Sequence, residues 1–300
     1  MRTSSAIAST APVREWRWTR TQELEFAAKH GIEVEATKKS IFSTDQNLWG
    51  RSIEAGILED PWVEPPPETF QWTTDPRLSP DQPEELEITF DRGKPVALDG
   101  RETDGVDLIL ALNGIGGKHG IGRIDHIENR LVGIKSREIY EAPAAILLHE
   151  AHRELEFLTL SKESLRFKTL VSQAYADLIY NGLWFSQLHQ DLMAFTVSNQ
   201  QFVSGTVRLK VFKGLAQVVG RKSEHSLYRH ELATYEEGDQ YDSSAALGFI
   251  KIHGLGQTTQ AKHQLLRGEA GHRLELPSII PPTRSGPVPE APKAPEKPSV

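Results

Sequence analysis

The chain of 300 residues contains no cysteine, which excludes disulfide bonds and thiolate metal sites. No apolar run approaches the roughly 18 residues that cross a bilayer. Residues 1–12 lack the apolar core of a secretory signal. The net charge of -7 is spread along the chain, which argues against nucleic acid as a partner. We therefore expect a cytoplasmic protein that binds neither membrane nor nucleic acid and folds as one large or two smaller domains.

Proline is scarce in the middle of the chain and is concentrated in two segments. Seven prolines fall between Asp60 and Pro83. They predict an extended connection that carries Trp62 and Trp72, because proline cannot continue a helix. Eight more lie within residues 277–300. That composition predicts a disordered tail over residues 263–300.

Between these segments the pattern mixes helices with antiparallel strands. Apolar residues recur at helical spacing after Pro143, and Asp104 is placed to cap a short helix that ends at Gly114. Alternating segments on either side of Arg92-Gly93-Lys94 and of Lys213-Gly214 predict two hairpins. Asp242 is placed to cap a last helix. We therefore predict an α+β fold, with antiparallel hairpins packed on helices rather than a regular βαβ alternation.

A glycine-rich segment, Gly114-Ile-Gly-Gly-Lys-His-Gly-Ile-Gly122, is expected to form a loop. It matches neither a dinucleotide fingerprint nor a phosphate-binding P-loop, because His119 stands where serine or threonine is needed. Two interpretations remain open, a tight structural turn and a backbone nest for an anion.

His149-Glu-Ala-His152 resembles a zinc-protease motif only superficially. That motif needs histidines four residues apart on one helix face, and here Arg153 holds the fourth position. We expect no metal site.

Two polar groups are candidates for a small-molecule site. Ser43 and Ser52 flank a polar segment with Asp45 and Asn47, and such side chains can bind a ligand or satisfy loop backbone. Glu128 and Tyr140 flank several cationic and amide side chains, which suit an amino-acid ligand or a surface salt-bridge cluster.

Longer motifs connect these weak signals. The segment Gly117-Lys-His-Gly-Ile-Gly-Arg-Ile-Asp-His-Ile-Glu-Asn-Arg130 continues to Gly133-Ile-Lys-Ser-Arg-Glu-Ile-Tyr140. With Asp45-Gln-Asn-Leu-Trp-Gly-Arg-Ser-Ile-Glu-Ala-Gly-Ile-Leu-Glu-Asp60, it strongly resembles the argininosuccinate synthase family. Shorter matches extend the resemblance over residues 10–262, and all of them occur in the same order as in the family.

The resemblance implies a cytoplasmic ligase of arginine biosynthesis that forms a homotetramer. Such an enzyme joins citrulline and aspartate through a citrullyl-adenylate, with ATP and Mg²⁺, and releases AMP and pyrophosphate. The family's citrulline contacts correspond to Ser43, Ser52, Glu128 and Tyr140. No catalytic residue can be assigned in this chain.

Two family motifs are absent from the sequence: the Ser-Gly-Gly-Leu-Asp-Thr-Ser pyrophosphate loop and a Thr-Gly-Lys-Gly-Asn-Asp segment that serves aspartate and citrulline. We therefore expect a chain that lacks the nucleotide-binding domain, does not bind ATP or aspartate by itself and is inactive alone. The expected division is an unmatched segment 1–10, the end of a nucleotide-binding domain 11–44, a synthetase and multimerisation domain 45–262, and the tail. The alternative is a non-catalytic assembly module, or the product of a truncated or split gene.

Overall fold

The computed structural model of the protein describes residues 15–33, 42–234 and 240–265. It divides into two compact units, residues 1–229 and 230–300. The helices of the first unit are α1 (Arg20–His30), α2 (Gly105–Lys118), α3 (Pro143–Thr159), α4 (Lys162–Tyr180) and α5 (Gln187–Asn199). Its strands are β1 (Ser43–Gln46), β2 (Arg51–Glu54), β3 (Glu84–Asp91), β4 (Lys94–Leu98), β5 (Arg101–Glu102), β6 (Arg123–Asn129), β7 (Lys135–Glu141), β8 (Gly205–Phe212) and β9 (Leu215–Lys222).

The strands of the first unit form two sheets, and every pairing in both is antiparallel. The larger sheet has the order β5-β4-β3-β8-β9, and the smaller has the order β1-β2-β7-β6. Helices and antiparallel sheets together confirm the predicted α+β class.

The main core lies where α2 and α3 cover one face of the five-stranded sheet. Leu147 and Leu155 of α3 are fully buried together with Val207 and Leu209 of β8. Alternate residues of β8 point into this core, which is the period-two pattern of a half-buried strand. Each fully buried leucine contributes about 1.5–3 kcal/mol relative to exposure.

Both predicted hairpins are confirmed. The β3–β4 turn has positive φ at Arg92 (47°) and Gly93 (77°), and the β8–β9 turn has positive φ at Lys213 (44°) and Gly214 (84°). Two successive left-handed residues match the right-handed twist of the flanking strands, which is why glycine occupies the second position.

The second unit is helical in its described residues: α6 (His230–Ala233), α7 (Ser243–His253) and α8 (Leu255–Gln260), followed by a π-helical turn (Ala261–Leu265). The predicted cap of α7 is confirmed, because the Asp242 carboxylate accepts hydrogen bonds from the backbone N–H groups of Ser244 and Ala245.

The glycine-rich segment does not form the predicted loop after Gly114. Asp104 caps α2 as expected, but the helix continues through Gly116 and Gly117 to Lys118. A Cβ atom on Gly116 would lie 2.8 Å from Cβ of Pro143, and one on Gly117 would lie 2.3 Å from the carbonyl oxygen of Trp72. Glycine here permits close packing of the helix, so tertiary contact overrides low helix propensity.

The same segment resolves the two interpretations that the sequence leaves open. The backbone N–H groups of His119, Gly120 and Ile121 all donate to carbonyl oxygens of the last turn of α2. The Lys118 ammonium pairs with Glu84 at 2.7 Å. Because these donors are engaged, the segment from residue 119 to 121 is a structural turn rather than an anion nest.

The close packing of α2 gives a matched pair of substitutions. Gly117→Ala should destabilise the fold, by more than about 1 kcal/mol, because its methyl group would collide with backbone. Gly114→Ala, in the same helix and facing open space, should stabilise it by up to about 1 kcal/mol. Urea unfolding of both variants measures the difference. Equal effects of the two substitutions would contradict the close approach.

The strands of the smaller sheet differ from what the sequence predicts. The sequence of Ile124–Ile134 predicts a strand interrupted by a turn near Asn129-Arg130. In the structure β6 ends at Asn129, the turn occupies residues 130–134, and β7 follows it. The strands β1, β2 and β7 were not predicted. They lack apolar alternation, because their buried positions include the charged side chains Arg51 and Glu141.

Several expectations fall on residues outside the described ranges. These are the unmatched segment 1–10 and residues 266–300 of the predicted tail, whereas residues 263–265, also assigned to the tail, lie in the π-helical turn. Within the described ranges, no helix combines the length and the apolar character needed to span a membrane.

Candidate functional site

The four-stranded sheet brings distant polar residues into one row. Ser52 of β2 lies directly opposite Tyr140 of β7, and Ser43 of β1 lies opposite Glu54 of β2. Cross-strand partners share a face, and so do residues two apart along a strand. Ser43, Ser52 and Tyr140 therefore lie on the same face, which we call the front face.

Glu128 joins the same face from β6. It pairs with Ser136, which lies four residues before Tyr140 on β7. The Tyr140 hydroxyl donates to Oε2 of Glu128 at 3.4 Å, a long hydrogen bond. The structure thus brings all four predicted site residues together, although they span 98 positions of sequence from Ser43 to Tyr140.

The two serines of the front face keep their hydroxyls free. In the part of the chain that the structure describes, neither the Ser43 nor the Ser52 hydroxyl forms a hydrogen bond, and both residues are half-buried. Asn47 behaves differently, because its side-chain oxygen accepts from the backbone N–H groups of Trp49 and Gly50 and closes the β1–β2 turn. The serines retain hydrogen-bonding capacity for a ligand, whereas Asn47 is used by its own loop.

Beside these hydroxyls lies a group that we call the carboxylate cluster: Glu54, Glu128 and Glu138 around Arg130. The Arg130 guanidinium lies 2.7 Å from Glu54, 2.9 Å from Glu128 and in contact with Glu138. Three carboxylates exceed the charge of one guanidinium. The cluster is therefore suited to a further cation such as an ammonium.

Burial raises the pKa values of two side chains on the front face, Glu138 and Tyr140. Loss of solvent, followed by hydrogen bonding and charge repulsion from Glu54, raises the pKa of Glu138 to about 7, against the opposing effect of Arg130. Loss of solvent, together with the charges of Glu138 and Glu128, raises the pKa of Tyr140 to about 12. Tyr140 therefore stays protonated at neutral pH and can donate a hydrogen bond.

The raised pKa of Glu138 predicts a pH-dependent stability. The folded chain keeps a proton that an unfolded chain, with a glutamate pKa of about 4.5, releases. This contribution to the free energy of unfolding is full below about pH 4.5 and is lost as the pH rises through about 7. Glu138→Gln mimics the protonated acid. From about pH 5 to 8, its stability relative to wild type should rise by about 1–3 kcal/mol.

Denaturant unfolding across that pH range measures the difference. Other titrating groups are common to both proteins and cancel in the comparison. Parallel stability curves for the two proteins would contradict the raised pKa of Glu138.

The opposite face of the sheet is anchored by one buried carboxylate. Glu141 is fully buried, and Oε2 accepts from Arg51 at 2.8 Å. Oε1 accepts from the backbone N–H groups of Trp72 and Thr73, both at 2.9 Å, and from the Thr73 hydroxyl at 2.7 Å. These contacts attach the proline-rich connection to the back of the sheet.

A cation reinforces the same attachment. Arg123 donates to the Thr73 hydroxyl and carbonyl, at 2.8 and 2.7 Å, and its guanidinium lies 3.8 Å from the Phe70 ring centroid. Ile53, Leu58 and Ile139 form a small apolar cluster on this side. The back face is thus closed and the front face half-open.

Removal of the negative charge of Glu141 should destabilise the folded chain. Glu141→Gln leaves the Arg51 guanidinium buried without its carboxylate, so it should lower the free energy of unfolding by about 3–5 kcal/mol. Glu87 supplies the control, because its ion pair with Arg208 at 2.6 Å is exposed. Glu87→Gln should cost less than about 1 kcal/mol. If urea unfolding shows that the two variants lose the same free energy of unfolding, Glu141 is not an anchor of the sheet.

The two histidines of α3 contact neighbouring side chains. His149 packs edge-on against Trp49, and His152 lies 2.9 Å from the side-chain oxygen of Gln200. Among the residues that the structure describes, no group of three or more metal-ligating side chains is assembled.

Sequence reasoning missed the carboxylate cluster as a unit. The sequence places Arg130 near Glu128 but does not show that Glu54 and Glu138 lie beside it. The period-two spacing of Glu138 and Tyr140 puts both on one face of any strand. That spacing becomes informative only when residues 135–141 are known to form a strand.

Comparison with known proteins agrees with the motif resemblance. Residues 42–260 match the family described as the arginosuccinate synthase C-terminal domain. The argininosuccinate synthase of Dehalococcoides mccartyi is 57% identical over 264 residues, covering 88% of this chain and 65% of the relative. That of Symbiobacterium thermophilum is 56% identical over 245 residues, covering 82% and 61%.

The argininosuccinate synthase of Bacillus pumilus is 57% identical over 245 residues, with the same coverage of 82% and 61%. The chain thus spans less than two thirds of the length of these curated relatives. The family model covers most of the present chain, and each of these relatives aligns with more than four fifths of it. The chain therefore belongs to the argininosuccinate synthase family and contains its C-terminal domain.

Proposed function

We propose that this chain supplies the citrulline-binding part of an argininosuccinate synthase. In that reaction ATP, citrulline and aspartate give argininosuccinate, AMP and pyrophosphate. The observation that carries the proposal is the front face, which holds Ser43, Ser52, Glu128 and Tyr140 and on which the two serine hydroxyls form no hydrogen bond with any described residue.

Each front-face residue can be given a role from its chemistry. Glu128 holds the α-ammonium of citrulline, because an ion pair with a mostly desolvated carboxylate is a strong contact. Ser43, Ser52 and protonated Tyr140 donate to the ligand's carboxylate or ureido oxygens. These contacts orient the ureido oxygen for attack on the α-phosphate of ATP, so the protein contributes mainly positioning.

ATP and aspartate need residues beyond those described on the front face. The 300 residues contain no Ser-Gly-Gly-Leu-Asp-Thr-Ser loop. The relatives are longer than the aligned region. We propose that the phosphates, Mg²⁺ and aspartate are bound by residues outside this sequence, and that turnover requires them. Displacement of AMP from the citrullyl-adenylate by the aspartate amine would then complete the reaction.

A role in assembly is part of the same proposal. Helices α4 and α5 and the turn between them expose large apolar side chains, among them Phe167, Leu170, Phe185 and Val197. Contiguous exposed apolar surface is typical of protein interfaces. These helices support a homo-oligomer, which in this family is a tetramer.

Titration calorimetry with L-citrulline tests the binding role. Glu128→Gln should weaken citrulline binding by about 10–100-fold, because a charge-assisted hydrogen bond contributes about 1.5–3 kcal/mol. The same substitution should leave the affinity for 5-ureidopentanoate unchanged within about twofold, because that analogue lacks the ammonium. Glu85→Gln, which changes an exposed ion pair on the five-stranded sheet, should bind citrulline like the wild type.

Two results would count against the proposal. Equal loss of affinity for both ligands would place Glu128 elsewhere than at the ammonium. Absence of citrulline binding by the folded wild-type chain would favour the alternative of a non-catalytic assembly module.

A further inference from the structure

The two oxygens of Glu128 have different surroundings. Oε1 lies 2.9 Å from Nε of Arg130 and accepts from the Tyr180 hydroxyl at 3.4 Å. Oε2 accepts only from the Tyr140 hydroxyl, also at 3.4 Å, among the described residues. A carboxylate oxygen has two lone pairs. Oε2 therefore retains acceptor capacity on the side of the carboxylate that faces Tyr140.

Arg130 is brought to Oε1 by the turn that joins β6 to β7. Its backbone N–H donates to the Ile134 carbonyl at 2.8 Å, and its own carbonyl accepts from Gly133 at 2.9 Å. Gly133 has a φ of 89°, a left-handed conformation that favours glycine. This turn folds the Arg130 side chain back over the sheet, toward the strand that carries Glu128.

The guanidinium is held by partners on three strands. Nε donates its single hydrogen to the Ser136 hydroxyl of β7 at 2.7 Å, so its contact with Glu128 of β6 is an ion pair. Nη2 donates to Glu54 of β2 at 2.7 Å and to Glu138 of β7. The planar fork of arginine can meet several acceptors at once, which the single ammonium of lysine cannot reproduce. Arg130 is thereby fixed independently of any ligand.

A fixed guanidinium restrains a flexible carboxylate. A free glutamate side chain loses about 1.5–2 kcal/mol of rotamer entropy when it is ordered. If an internal contact has already ordered it, ligand binding does not bear that cost. The contact at Oε1 therefore orders Glu128 and leaves Oε2 available.

We infer that Arg130 is a positioning residue of the citrulline site: it holds Oε1 of Glu128 so that Oε2, beside Tyr140, can receive the ligand's ammonium. The inference rests on the proposed function. The competing possibility is that Arg130 occupies the place of the ammonium and must be displaced. Geometry favours positioning, because Arg130 approaches Oε1, whereas the open capacity lies at Oε2.

Calorimetry with two ligands tests the inference. Arg130→Gln should weaken L-citrulline binding by about tenfold or more, because Glu128 must then be ordered by the ligand. It should change the affinity for 5-ureidopentanoate by less than about twofold, since that ligand has no ammonium for Glu128 to bind. General damage to the sheet would weaken both ligands alike. Arg130→Lys, which keeps the charge but loses the fork, should restore part of the citrulline affinity.

Arg208→Gln is the matched control. Arg208 also pairs with a carboxylate across two strands, but on the five-stranded sheet. This variant should bind citrulline as the wild type does. Thermal unfolding of each variant shows whether it is folded at the temperature of the titration. If Arg130→Gln is unfolded there, Arg130→Lys carries the comparison of the two ligands.

The outcomes separate the inference from the proposed function. If the wild type binds citrulline and Arg130→Gln binds it with equal or higher affinity, the positioning role is overturned. A higher affinity would identify Arg130 as a competitor of the ammonium. Failure of the wild type to bind citrulline would overturn the proposed function instead. A crystal structure of Arg130→Gln then decides the remaining point. Displacement of Glu128 from Tyr140 supports the restraint by Arg130, and an unmoved Glu128 overturns it.

Discussion

The carboxylate of Glu141 joins three parts of the molecule that the chain visits at widely separated positions. It lies at the end of β7, pairs with Arg51 at the start of β2, and accepts backbone N–H groups from residues 71–73. Together with Arg123, which donates to Thr73, and the Gly117 carbonyl, which accepts from Thr74, this acceptor holds the proline-rich connection against the sheet. Ser52 and Tyr140, which are adjacent in sequence to the two partners of the ion pair, inherit their alignment from it.

A buried ion pair is a weak source of net stability, because desolvation of the two charges offsets their attraction. Its contribution here is better described as a constraint on register. A shift of β2 by one residue along β7 would exchange the faces of β2, which would move Arg51 to the front and Ser52 to the back while Glu141 and Tyr140 keep their places. The charged pair has hydrogen-bond partners only in the observed register. The hydroxyls of the front face are thus aligned by charged residues on the back face of the sheet.

Sequence patterns predicted the parts of this fold in which one face is apolar. Helix α3 and the β8 hairpin followed directly from their periodicity, because their buried side chains are aliphatic. Strands β1, β2 and β7 escaped prediction because the back face of their sheet is closed partly by Arg51, Arg137 and Glu141, whose charges hide the alternation. The end of α2 escaped for another reason. Gly116 and Gly117 look like helix breakers until the neighbouring chain that they accommodate is known.

The site shows the same division. Motif resemblance identified Ser43, Ser52, Glu128 and Tyr140, but not that they share one face. Pairing of the strands supplies that fact. Nor could it identify the partners of Arg130, since Glu54 and Glu138 reach it from different strands. Contacts of this kind depend on how strands that are distant in sequence pair with one another, and a local sequence pattern does not predict that pairing.

The charges of the front face follow from the same geometry. Arg130 balances one of its three carboxylates, and burial beside Glu54 favours a proton on Glu138 up to about pH 7. With that proton in place the cluster retains one uncompensated negative charge, which a single ammonium neutralises. A second cationic group on the ligand would have no such partner. The α-ammonium of an amino acid whose side chain ends in a neutral ureido group therefore fits the charge as well as the hydroxyls of this face.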